Sequence, residues 1–290
     1  MGDNELLYAT LGEAYVQYVN AGLAPPEPYL DKARECASKV FVLNPQSARG
    51  HVLSGFMRAF TDPPSIQDMV KQMKCAIGID PNNPEALLWL IACYGISGKG
   101  FAARPFLERL LAVDPLPPQH QLLRGYIEAL DGRFEESVAP LRKANEMDPL
   151  SLPIRLHYAM GLLWSGRREE ADGVIDRLAQ DAPRTIFASA TSFVRYAITG
   201  DVGRARVLVT PELAAAARQH PLHPLLLAEG YALLRDRDQA LQWLDTAVRC
   251  GFINYPFLAN FDPLLANLRG DQRFVSRMEH VKHRWDAFEV

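Results

Sequence analysis

Several things are scarce in this chain of 290 residues, and each scarcity closes a class of function. No long apolar run exists: the longest, "ALLWLIACYGI" from Ala86 to Ile96, falls far short of the roughly 20 residues that cross a bilayer. The start, "MGDNELLYAT", has acids where a secretory leader carries basic residues, so a cytoplasmic protein with no membrane contact is expected. Net charge is only −3, with both signs interspersed. Nothing here resembles the basic patch that neutralises phosphates, and nucleic acid is not an expected partner. Cysteine is sparse too. Cys36, Cys75, Cys93 and Cys250 form no CxxC pair and sit in helical patterns, which reads as reduced, buried thiols and no structural zinc.

Catalytic patterns are equally thin. The sequence contains no G-x-G-x-x-G loop, no H-R-D and no D-F-G. "GISGKGF" around Lys99 lacks both the upstream glycine and the following Ser or Thr of a phosphate-binding loop, and reads as an inter-helix turn. His220 with His223, and His280 with His283, have a helical metal-ligand spacing, yet no local Cys or carboxylate completes a site. Glu135 and Glu136, like Glu169 and Glu170, stand where acids favour a helix N-terminus. The expectation is no enzyme, no metal and no cofactor.

What is present is periodic. Pro81, Pro115, Pro149 and Pro183 are each 34 residues apart, and so are Gly98, Gly132, Gly166 and Gly200. Two kinds of punctuation in one register, over apolar residues at helical spacing, mean repeated helix pairs. Glycine stops the first helix of each pair because a C-terminal residue at positive φ suits it alone without steric cost. Proline stops the second because it has no N–H and disfavours helix in the residue before it. The preceding Asp or Asn, as in "GIDPNN" and "EMDPLS", is placed to cap the turn into the next helix.

On these residues the chain resembles the tetratricopeptide repeat (TPR). In "PNNPEALLWLIACYGISGKGFAARPFLERLLAVDP" Leu87, Leu90, Tyr94, Ala103, Leu107, Leu110 and Pro115 fall on the family's motif positions. Gly125, Ser137, Leu141, Ala144 and Pro149 occupy them in the next unit, then Tyr158, Ala159, Ala171, Ile175, Leu178 and Pro183. The resemblance implies an all-α TPR α-solenoid, a right-handed superhelix of about seven units over residues 1–252. The units end near Pro45, Pro81, Pro115, Pro149, Pro183, Pro221 and Phe252, and the sixth is displaced by Pro211 and Pro221. Residues 253–290 are expected to cap the array: Asp262 and Asp271 as N-caps, Pro263 at a first helical position, and a stripe of Phe274, Met278, Val281 and Trp285.

The family's groove positions carry over to Val52, Phe56, Phe60, Leu88, Ala92, Leu122, Tyr126, Leu156, Met160 and Trp164. This implies an apolar, aromatic groove for a protein or peptide. Where carboxylate-gripping TPRs place Lys and Asn, this chain has Leu53, Leu88, Trp89, Leu122, Leu123 and His157. An amphipathic helix or extended apolar segment is therefore favoured over a C-terminal carboxylate. The alternative is that these residues are simply core, or that the array packs on its own capping segment. The stretch "GFINYPFLANFDPLLANLRGDQRF" also resembles the end of TPR regions in bacterial multidomain signalling proteins of the serine/threonine kinase or adenylate-cyclase type. That resemblance implies a regulatory region of a larger protein, and an incompletely capped N-terminal edge implies weak self-association.

Overall fold

In the computed structural model of the chain, residues 4–20, 26–59, 64–218 and 220–290 are described. Among them the secondary structure is helical throughout, with no strand. Helices come in pairs: α1 (Glu5–Asn20) with α2 (Pro26–Leu43), α3 (Ala48–Ala59) with α4 (Ile66–Ile79), α5 (Pro84–Ile96) with α6 (Gly100–Val113), and α7 (Pro118–Leu130) with α8 (Phe134–Met147). Then come α9 (Leu152–Trp164) with α10 (Arg168–Asp181), α11 (Ile186–Thr199) with α12 (Val202–Leu208) and α13 (Pro211–Ala217), and α14 (Leu222–Leu233) with α15 (Arg237–Arg249). In the sixth pair the second helix is split because Thr210 caps a new start with Pro211 in its first turn. A π-helical turn, Phe257–Phe261, a 3-10 turn, Ala266–Leu268, and α16 (Gln272–Asp286) complete the chain.

Local chemistry explains the punctuation. Gly98, Gly132, Gly166 and Gly200 all have φ between +65° and +78°, the left-handed conformation that a helix stop of this kind requires. At the other stop, the Asp148 carboxyl accepts from the Leu150 and Ser151 amides at 3.3 and 3.1 Å, so one side chain satisfies donors that proline's break leaves open. In "GIDPNN" the duty is shared: Asp80 accepts from Asn82, and Asn83 caps α5 by accepting from Ala86 at 3.0 Å. Small residues let helices touch. A Cβ on Gly55 would lie 2.4 Å from Met73, and one on Gly125 would lie 2.5 Å from Leu141 and 2.9 Å from a backbone oxygen. The paired glutamates open α8 and α10 and bind arginines of neighbouring pairs, Glu135 with Arg167 and Glu170 with Arg142.

The chain forms two compact units. Unit 1 holds residues 4–93 and 108–114, with a core of Leu53, Val70, Met73, Leu87, Leu90 and Ile91, all fully buried. Unit 2 holds residues 94–107 and 115–290, and its core runs through Ile127, Leu156, Ile175, Phe193, Leu226 and Phe257.

The C-terminal segment departs from expectation at one point. Asp271 caps α16 by accepting from Arg273 at 2.9 Å, and Phe274, Met278 and Val281 bury the expected stripe. Asp262 accepts from the Leu264 amide at 2.8 Å, but a bend and a 3-10 turn come next in place of an α-helix, and Pro263 is not helical. The reason is tertiary: the Asp262 side chain is fully buried against Glu229 of α14, which fixes the chain in a course that an α-helix does not take.

Candidate functional site

The groove positions divide between the two units. In unit 1, Val52 and Phe56 of α3 are buried, and Phe56 meets the half-buried Trp89 of α5 edge-on, with ring centroids 5.1 Å apart. Leu88 and Ala92 are half-buried beside it on the same helix. Phe60 lies outside the described residues. In unit 2, Leu122 of α7 is half-buried, while Tyr126 is buried with its ring edge-on to His157 of α9 at 5.1 Å. Leu156 and Met160 are fully buried, and Trp164 is 5% exposed.

Trp164 is covered by the chain's own C-terminal segment. Residues 252–262 form a strap across the C-terminal ends of the first helices of unit 2. The Ile253 amide donates to the Ile96 carbonyl at 3.0 Å. Asn254 Nδ2 donates to two helix-end carbonyls, Leu130 and Gly95, each at 3.1 Å, the second of which also accepts from the Gly98 amide at 3.0 Å. Asn254 Oδ1 in turn accepts from the Phe257 amide at 3.0 Å, which starts the π-helical turn closed by Asp262 N–H to Phe257 O at 2.9 Å. The turn drives Phe257 into an aromatic cluster, with ring centroids 5.4 Å from Trp164, 6.3 Å from Phe134 and 6.0 Å from Phe252.

Beyond the strap, α16 lies on α15 through Arg277 to Asp245 at 2.8 Å. Its Trp285 indole donates to the Gly98 carbonyl at 3.1 Å, with the Lys99 ammonium 4.2 Å from the ring centroid. Lys99, the residue of the phosphate-loop-like string, is thus a partner of an aromatic face.

Two polar clusters stand in unit 2, the first of them beneath the strap. Trp164 Nε1 donates to Glu229 Oε1 at 3.0 Å, and Glu229 hydrogen-bonds Asp262 of the strap. Both carboxyls are completely buried. Burial and the Asp262 charge hold Glu229 well above the usual carboxylate range, and burial pushes Asp262 up to about 6. The second cluster joins His157 of α9 to His220 and His223 at the start of α14, the last two with ring centroids 4.7 Å apart. Burial first, and His157 second, hold His220 down at about 4. No three His, Cys, Asp or Glu among the described residues are grouped so as to hold a metal.

Sequence reading passed over Asn254, Phe257 and Glu229, and took Asp262 only for a helix cap. A signal existed for one of them: Glu229 is the lone charge inside "LLLAEGYALL", an apolar run in which a carboxylate needs a partner. Asn254 had no such signal, since its partners lie 159 and 124 residues away.

No protein-family model matches the sequence, and no curated protein matches it. Among solved structures, the chain is similar to Cut9 of the APC/C Cut9-Hcn1 hetero-tetramer, at 17% identity with a TM-score of 0.59, over 90% of this chain and 49% of that one. It is similar to a tetratricopeptide repeat protein from Parabacteroides merdae, at 15% identity and TM-score 0.54, over 95% of this chain and 98% of that one. PilF of Pseudomonas aeruginosa gives 14% identity and TM-score 0.53, over 83% and 96%. With the helix pairs and their punctuation, these likenesses establish the fold as all-α, of the TPR-solenoid kind.

Proposed function

We propose that the chain is a non-catalytic protein–protein interaction scaffold that receives a peptide segment of its partner. The observation that carries this reading is the half-buried apolar surface on first helices: Leu88, Trp89 and Ala92 over Phe56 in unit 1, and Leu122 in unit 2. Surface of this kind on a rigid helix pair suits an amphipathic helix or an extended apolar segment, since neither Lys nor Asn stands among those residues to grip a terminal carboxylate. The likeness to Cut9, which was solved as a hetero-tetramer with Hcn1, supports a protein partner. No disulfide joins the four cysteines, in keeping with a reducing, cytoplasmic setting.

The test is cross-linking mass spectrometry in the source cells with wild type, Leu88→Arg and Leu122→Arg, each checked for an unchanged melting curve. At least one variant is expected to lose the partner that wild type captures. Identical partner sets from all three overturn the reading. A second reading, a regulatory region attached to a bacterial serine/threonine kinase or cyclase, is favoured by the stretch from Gly251 to Phe274, which is the strap and the start of α16. A native reading frame in the source genome that encodes no such domain refutes it.

A further inference from the structure

The strap ends on the buried carboxyl pair, and the pair has one feature that hydrogen bonding to nitrogen does not satisfy. Glu229 Oε1 is used by Trp164 and Asp262 Oδ1 by the Leu264 amide. The remaining oxygens, Glu229 Oε2 and Asp262 Oδ2, are buried with no nitrogen or hydroxyl donor among the described residues. Two ionised carboxylates are acceptors only, so a hydrogen bond between them requires one proton. Its position is set by the surroundings. Backbone amides of Leu264 and Leu265 and the Arg269 guanidinium favour charge on Asp262, whereas Glu229 has burial and the Asp262 charge against it. Glu229 is therefore the acid that donates, and Asp262 the anion that accepts.

We propose that this shared proton is the catch of a gated strap: while it is present residues 252–262 stay on unit 2, and its loss releases them and uncovers Trp164 and Phe134. Removing the proton puts two negative charges in contact, with the Arg269 guanidinium as the cation acting on Asp262. One carboxylate must then reach water. Glu229 sits in α14 among fully buried Leu225, Leu226, Leu227 and Ala228, and moving it unpacks a helix. Asp262 sits at the end of a strap that buries Phe252, Phe257 and Leu258 but is held to the first-helix ends by the Ile253 amide and the Asn254 side chain, with no α-helix of its own to break, so the strap is the part that moves.

Release is therefore favoured by rising pH. A single proton sets the steepness: strap opening becomes tenfold more favourable for each pH unit between the ordinary carboxyl range, where the opened carboxyls give up that proton, and the higher pH at which the closed pair itself loses it. This device belongs to unit 2 alone and is independent of whether any partner binds.

Hydrogen exchange of the amides of Ile253, Phe257, Leu258 and Asp262 in the full chain tests it, from about pH 6 to about pH 10, after correction for the intrinsic base-catalysed rate. Wild type is expected to lose protection at these amides tenfold per pH unit until the closed pair itself gives up its proton, and to level off beyond that, while amides of α9 stay protected. Glu229→Gln donates to Asp262 through a carboxamide that does not titrate, and its strap protection is expected to be flat with pH. A flat wild-type profile, or equal slopes in wild type and Glu229→Gln, overturns the proposal. Infrared spectroscopy of wild type gives a second reading that needs no variant to fold. A carboxylic-acid carbonyl band is expected at neutral pH and should vanish at the higher pH where strap protection levels off; no such band at neutral pH refutes the shared proton.

Discussion

Gly98 and Gly166 hold equivalent repeat positions with nearly the same backbone, φ +65° and +78°, yet they are predicted to respond differently to the same substitution. Replacing either by Ala places a Cβ in the left-handed region, which costs about 1–2 kcal/mol. At Gly166 that is the whole cost, because nothing lies within 4 Å of the new Cβ. At Gly98 the Cβ falls 2.6 Å from Asn254 Oδ1 and 2.9 Å from Trp285 Nε1. Asn254 has little freedom to yield, since it is buried and tied by its two carbonyls and the Phe257 amide. Overpacking of this kind adds about 1–3 kcal/mol, and displacing Asn254 loses three hydrogen bonds at about 1 kcal/mol each. These are alternative responses to one clash, the cheaper of which sets the cost, so Gly98→Ala is expected to exceed Gly166→Ala by about 1–3 kcal/mol. Equilibrium urea unfolding measures the difference, and hydrogen exchange at Ile253 and Phe257 locates it in the strap. Two variants that agree within about 0.5 kcal/mol, the usual scatter between independent sites, would refute the packing argument.

Buried polar groups in unit 2 give two more expected outcomes. Arg155, 6% exposed, ties the Pro149 carbonyl to Asp181 at 2.6 Å, whereas the Asp181 side chain is 52% exposed. Arg155→Ala is expected to cost about 2–4 kcal/mol in urea unfolding, through lost stem packing and an unpaired carbonyl. Asp181→Asn should cost under about 1 kcal/mol because solvent screens that partner, and equal costs would show that charge attraction, not burial, is the source. The His220 imidazole is held down at about 4, so its contribution to stability is complete above the unfolded value near 6.5 and is lost as pH falls from there toward 4. The loss amounts to at most about 3 kcal/mol. His220→Asn keeps an acceptor for the Leu222 amide and should flatten the stability profile between those pH values relative to wild type; parallel profiles would exclude His220 as the titrating group.

Much of this protein was legible in its residues because the interactions responsible are short in sequence. A glycine at positive φ closes bonds to carbonyls a few positions back, as Lys99 N–H to Tyr94 O at 2.8 Å and Arg167 N–H to Leu162 O at 2.8 Å show. Asp148 reaches two and three residues ahead, and the pairing of consecutive helices comes from turns of a few residues. These relations repeat every 34 residues, so the helix pairs and the burial of Ala103, Ala144 and Ala171 could be read directly.

The sequence by itself determined the helix pairs, their stops and the small residues between them, because each depends on backbone sterics and on neighbours within about one turn. Tertiary structure alone decided which of the equivalent stops are covered. Asn254 joins Gly95 to Leu130, Phe261 lies over Gly132, and nothing comes within 4 Å of a Cβ at Gly166 or Gly200. It also decided that Asp262 turns inward to share a proton with Glu229 where its local sequence pointed to an ordinary helix cap. Contacts between residues more than a hundred positions apart leave no periodic trace, since they depend on how the preceding helices present their carbonyl ends, and that geometry exists only once unit 2 has folded.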